Sequence, residues 1–173
     1  LLTPESSDEG AGKVVYRLTY PADVKSLDPA TCGDDMSSSI QGNVYEGLYA
    51  YHYLKRPLEV IPQLADGMPE VSPDGLTYTI RIKPGVLYHR NACFGRADSG
   101  WNTRTLHARD FVLAFKRIAD YHINTGLAWA FFAGRIVGLD AFRERTRLYR
   151  IGDFSRYDLP VEGLEALDSL TLR

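Results

Sequence analysis

One run, Leu76-Thr77-Tyr78-Thr79-Ile80-Arg81-Ile82, sets an apolar side chain on every second position with polar ones between. In an extended chain successive side chains point to opposite faces, so a period of two gives a strand with one buried and one wet face. Ser72-Pro73-Asp74-Gly75 before the run and Lys83-Pro84-Gly85 after it are turn sequences that bound the strand on both sides.

Other elements follow from similar local signals. Lys13 to Tyr20 is a β-rich run stopped by Pro21. Ile40, Val44 and Leu48 recur every fourth residue, which predicts a short helix over Ser37–Leu48 with an Asp or Ser start and Gly47 at its end. Leu48–Tyr53 and Leu58–Ile61 read as two extended pieces around Lys55-Arg56-Pro57. From Tyr88 to Arg104, glycines, asparagines and mixed charges predict a long irregular surface loop. A helix starting near Thr105 and running through Ala119 places Phe111, Phe115 and Ile118 on one stripe, with Arg109, Lys116 and Asp120 elsewhere. Leu127–Phe132 is a second helical segment ending at Gly134, and Ile136–Phe142 continues in helical form. Arg143–Tyr157 is charged and reads as exposed. Val161–Leu167 and Thr171–Arg173 read as a hairpin around Asp168-Ser169, its second strand cut short, which implies a natural chain continuing beyond Arg173.

With 173 residues, 45% hydrophobic, the chain has enough apolar material for a folded domain. Its formal charge of −2 is spread along the length, so no basic face is available for a phosphate backbone and nucleic acid is excluded as a partner. No apolar run approaches the ~20 residues needed to cross a bilayer. Residues 1–12 lack the basic and apolar regions of a secretion signal and read as a tether left after processing or cloning. Cys32 and Cys93 match no metal spacing and permit one disulfide without requiring it. His52, His89, His107 and His122 share no helical face, and no zinc pattern completes them, so neither a metal nor a cofactor is expected. A hydrolase using Asp34, Asp35 and a histidine has no supporting nucleophile elbow, phosphate-cradling loop or carboxylate motif, and an enzyme is not expected.

Several segments, in their order, resemble the opening of the bacterial extracellular solute-binding proteins of family 5, the oligopeptide and dipeptide type. They are Ser26-Leu27-Asp28-Pro29, Val44-Tyr45-Glu46-Gly47-Leu48, Pro62-Gln63-Leu64-Ala65, and Ser72 through Val86. Leu106-His107-Ala108-Arg109-Asp110-Phe111-Val112, Ile136-Val137-Gly138-Leu139 and Val161 through Leu172 continue the series. The departure is a segment, residues 92–104, inserted between Tyr88-His89-Arg90-Asn91 and Thr105, which costs little closure entropy on a surface.

The resemblance implies a mixed α/β (α+β) chain of the class II periplasmic-binding-protein type. Residues 13–44 would start lobe I, residues 45–158 would form the extra domain of the peptide-binding members, and residues 159–173 would return to lobe I. It further implies the substrate-binding component of an ABC importer at the periplasm or outer face of the cell envelope. Its partners would be a peptide or small solute and the permease and ATPase complex, with the membrane reached only through the transporter or a lost lipid anchor. Alternatives are a docking or sensing module for peptide or carbohydrate, or a relative that binds nickel or haem. Cys32, Gly33, Asp34, Asp35 and Met36 would face the cleft and lend backbone groups to an extended peptide. The same loop also suits a plain helix cap on Asp34 or Asp35. Trp129 would line the cleft, although buried helix packing is the commoner role for an aromatic cluster such as Trp129-Ala130-Phe131-Phe132.

Overall fold

The computed structural model describes Thr19, residues 22–98 and residues 100–173, so the expected tether lies outside the described residues, as does the expected first strand apart from Thr19. Helix α1, Asp35–Gln41, begins where the Asp34 carboxylate accepts the Ser37 N–H. It is shorter than the sequence predicts. The chain leaves the helix at Gly42, and Val44 is exposed instead of continuing an apolar stripe.

Strands β1 (Tyr49–Tyr51) and β2 (Val60–Pro62) form the expected antiparallel hairpin around Lys55-Arg56-Pro57, where the Arg56-Pro57 bond is cis. Short β3, Glu70–Val71, then pairs antiparallel with β4, Tyr78–Arg81, across the Ser72–Gly75 turn. In that turn the Gly75 N–H reaches the Ser72 carbonyl at 2.8 Å. The alternation that defines β4 is realised in its second half alone. Ile82 is 1% exposed and Ile80 packs on the core, whereas Leu76 and Tyr78 are exposed.

Residues 88–104 are a small antiparallel arm and not an irregular loop. β5 (Arg96–Ala97) pairs with β6 (Gly100–Trp101), and Asn91 and Asn102 extend the ladder with the Asn91 N–H on the Asn102 carbonyl at 3.0 Å. Its base is closed by Arg104, which donates to both oxygens of Asp110 at 2.8 and 2.7 Å and lies 4.7 Å over the Tyr88 ring.

Helix α2, Ala108–Ala119, starts at His107, whose N–H is accepted by the Asp110 carboxylate at 2.9 Å. Lys116 and Asp120, expected off the apolar stripe, are both buried. Each is satisfied by residues 156 and 157, well along the chain: Lys116 Nζ donates to the Tyr157 carbonyl, and Asp120 accepts from Arg156 and the Tyr157 hydroxyl. Helix α3, Gly126–Phe132, sets Phe132 edge-on against Phe115, with ring centroids 5.2 Å apart. The helical continuation begins later than expected, at Leu139, because Gly138 takes a left-handed conformation with φ 79°. Helix α4 is Leu139–Thr146. Within the stretch read as charged and exposed, Thr146 and Arg156 are buried.

The last hairpin forms as expected, with Glu165 and Arg173 exchanging backbone hydrogen bonds, and its strand β7 (Thr171–Leu172) joins β4 to give the order β3-β4-β7. One core results. Ile82 and Leu172 from the sheet meet Leu106, Ala108 and Ala119 from α2 and its approach, Leu139 and Phe142 from α4, and Val161 and Leu164. Two glycines let the last two of these segments touch: a Cβ on Gly138 would lie 3.0 Å from the Glu162 nitrogen, and one on Gly163 would lie 2.8 Å from the Val137 nitrogen.

Candidate functional site

The loop Thr31–Met36 is organised by its own hydrogen bonds. Asp34 accepts from the Ser37 N–H and hydroxyl, both at 2.9 Å, and these bonds hold its carboxyl below the usual carboxylate range. The buried Ser37 hydroxyl in turn receives the Lys25 N–H at 3.0 Å, and Gln41 Nε2 donates to the Ser26 carbonyl at 3.1 Å. Cys32 and Met36 are half-buried, with Cys32 Sγ 3.2 Å from Ser38 Oγ, while Gly33 and Asp35 are exposed. A Cβ on Gly33 would meet nothing within 4 Å, so the space beside its backbone is open. Cys32 and Cys93 are separate free thiols.

Just before this loop, Asp28 makes a bond that sequence reading missed. Arg117 of α2 donates to its two oxygens at 2.6 and 3.3 Å across 89 residues of chain, and the Ala30 N–H adds a third bond at 3.0 Å. Burial alone would raise the Asp28 carboxyl; the Arg117 hydrogen bond, the Ala30 N–H and the Arg117 charge outweigh it and hold the group below its ordinary value. Asp-Pro was visible as a turn and Arg117 as a charge on a helix, but no local pattern links them. Together they form part of the wall of an apolar cleft of about 830 Å³, which also includes Leu27, Val44, Phe111 and Ile118.

Trp129 occupies a different place. It is half-buried against the core, with the Arg143 guanidinium 4.8 Å over its ring, and it lines a hollow of about 490 Å³ with Tyr121, His122, Thr125 and Arg143. None of Cys32–Met36 lines either hollow, so the structure does not bring the loop and Trp129 into one pocket among the described residues. The histidines are dispersed: His52 Nδ1 accepts the Leu54 N–H at 3.2 Å, and His122 Nε2 lies 3.0 Å from the Thr146 carbonyl. Among the described residues no three His, Cys, Asp or Glu side chains gather as a metal site would need.

The family described as bacterial extracellular solute-binding proteins, family 5 Middle, matches residues 59–173. The chain belongs to this family. The family 5 solute-binding chain is 40% identical over 139 residues to the dipeptide-binding protein of Escherichia coli K12, covering 71% of this chain and 25% of that protein. It is 31% identical over 122 residues to the dipeptide-binding protein of Lactococcus lactis, covering 70% of this chain and 19% of the relative. Among solved structures it resembles the pheromone receptor PrgZ at 30% identity and TM-score 0.58, covering 86% of this chain and 24% of the receptor. Haemophilus influenzae OppA in complex with the peptide RPPGFSPFR matches in fold at TM-score 0.62 and 20% identity, over 87% of this chain and 24% of OppA. The family 5 chain thus spans a quarter or less of the length of these relatives, and its mixed helices and strands share the fold of the corresponding parts of PrgZ and OppA.

Proposed function

We propose that this chain is part of the substrate-binding component of an ABC importer, which captures peptides or similar small solutes outside the inner membrane and delivers them to the permease. The observation that carries the reading is the match to the Escherichia coli dipeptide-binding protein over most of this chain. A relative in Pectobacterium atrosepticum named as glutathione-binding, 36% identical over 72 residues, fits the same class of small peptide-like solute. The protein acts by binding, at the periplasm or outer face of the envelope, and partners the permease and ATPase.

In this reading residues 13–44 and 159–173 belong to lobe I and residues 45–158 to the extra domain. The loop Cys32–Met36 faces the ligand and offers backbone groups along the open side of Gly33. Trp129, half-buried with the Arg143 guanidinium over its ring, lines the ligand cleft at a second place, apart from the loop. A ligand shifts such a protein toward the closed form only as far as it touches both lobes in that form, so this segment supplies one wall of the site.

The test is a thermal-shift screen of the full-length protein carrying this chain against di- to oligopeptides. Peptides should raise the melting temperature. Stabilisation by sugars or metal complexes, with none by peptides, would overturn the peptide assignment.

A further inference from the structure

The segment around the ligand-facing loop is bonded almost entirely to itself. The Asp28 carbonyl accepts the Thr31 N–H at 3.1 Å, Ser26 Oγ lies 2.7 Å from Thr31 Oγ1, and Ser37 and Gln41 close the unit from α1. Among the described residues, the hydrogen bonds from residues 22–41 to anything past Tyr45 are those that Asp28 accepts from Arg117. Among the described residues this pair is the hydrogen-bonded tether between the unit and α2, and a bidentate bond constrains how the unit is oriented on that helix.

We propose that Arg117 is a positioning residue for ligand binding, acting through Asp28 to fix how the loop Thr31–Met36 is presented relative to α2. This rests on the assignment of that loop to the ligand cleft. The geometry suits the role. The two guanidinium nitrogens grip two carboxylate oxygens, which fixes direction as well as distance, and a lysine at 117 could supply the charge but not the fork. Asp28 passes the constraint on through the Ala30 N–H bonded to its side chain and the Thr31 N–H bonded to its carbonyl, the two amides that lead into the loop. The pair is roughly 40% exposed at Arg117 and 36% at Asp28, so its direct contribution to global stability is small and its effect local.

The test compares the full-length protein with its Arg117→Ala and Arg117→Lys variants, and with Lys55→Ala as a control that removes an exposed ion pair elsewhere. Hydrogen exchange at Ala30 and Thr31 is read without ligand, and peptide Kd is read well below the melting temperature. Arg117→Ala should speed exchange at these two amides and raise Kd, each by roughly threefold to tenfold. Arg117→Lys should restore part of both, and Lys55→Ala should change neither. Wild-type exchange in Arg117→Ala overturns the proposal, as does faster exchange with an unchanged Kd. Faster exchange in a protein whose wild type binds no peptide of the panel leaves the tether standing and overturns the peptide reading instead.

Discussion

The carboxylate of Asp120, with no exposed surface, accepts Arg156 Nε at 2.7 Å and the Tyr157 hydroxyl at 2.6 Å. The His122 N–H adds a bond at 3.0 Å, so the last turn of α2 is fastened to the segment beyond α4 through one buried anion. Removing one partner of such a pair leaves the other buried and uncompensated. Asp120→Ala should therefore destabilise by about 3–5 kcal/mol in urea unfolding, whereas Asp153→Ala, at an exposed capping carboxylate, should lose clearly less. Equal losses would mean that the buried anion is not the fastening.

The same cluster sets opposite responses at the two ends of the pH scale. Burial raises the Asp120 carboxyl, but the Tyr157 hydroxyl, the His122 N–H and Arg156 more than offset it and hold the folded group below its ordinary value. A depressed carboxyl contributes stability that is present above the unfolded value and lost as pH falls through the folded one. Tyr157 is shifted the other way, from 10.0 to about 12, by burial first and then by Asp120. Its contribution is full below pH 10 and lost as pH rises toward 12. Asp120→Asn should flatten the acid limb of stability against pH below about 4, and Tyr157→Phe should flatten the alkaline limb. Unchanged slopes in both variants would sink the assignment.

Gly138 and Gly163 are where two backbones meet. Gly138 has φ 79°, and both positions lack room for a Cβ against Glu162 and Val137 respectively. Gly138→Ala and Gly163→Ala should each cost about 1–3 kcal/mol. Gly33→Ala, with nothing within 4 Å, should leave the melting temperature near wild type. A wild-type melting temperature for both Gly138→Ala and Gly163→Ala would show that these two segments do not approach as closely as described.

Phe142, on α4, is fully buried in the core, with Lys116 of α2 over its ring. Phe142→Ala should destabilise by about 3–5 kcal/mol, and Phe142→Leu by clearly less, because the cavity left is smaller. Similar losses for the two would place the ring outside the core.

The β1–β2 and closing hairpins, α3 and the core of α2 were legible because each is written locally, in alternation, helical periodicity or turn chemistry. What failed did so where tertiary partners decide. Val44 continues the spacing of Ile40, yet Gly42 ends the helix and nothing covers the side chain. Lys116 and Asp120 read as surface charges because the carbonyl, guanidinium and hydroxyl that satisfy them come from Arg156 and Tyr157, well along the chain. The arm at 88–104 was unreadable because its ladder is polar, held by asparagine backbones and by Arg104 between Tyr88 and Asp110. At the candidate site, the capping role of Asp34 was visible and its tether through Asp28 to Arg117 was not, since two charges 89 residues apart leave no periodic trace.

The central claim is that the protein built on this segment is a peptide-binding importer component. Titration calorimetry of the purified full-length protein against di-, tri- and longer peptides tests it most directly. Saturable binding of a peptide at one site per molecule is the predicted result. No heat from any peptide, together with saturable binding of a sugar, nickel complex or haem, would contradict it.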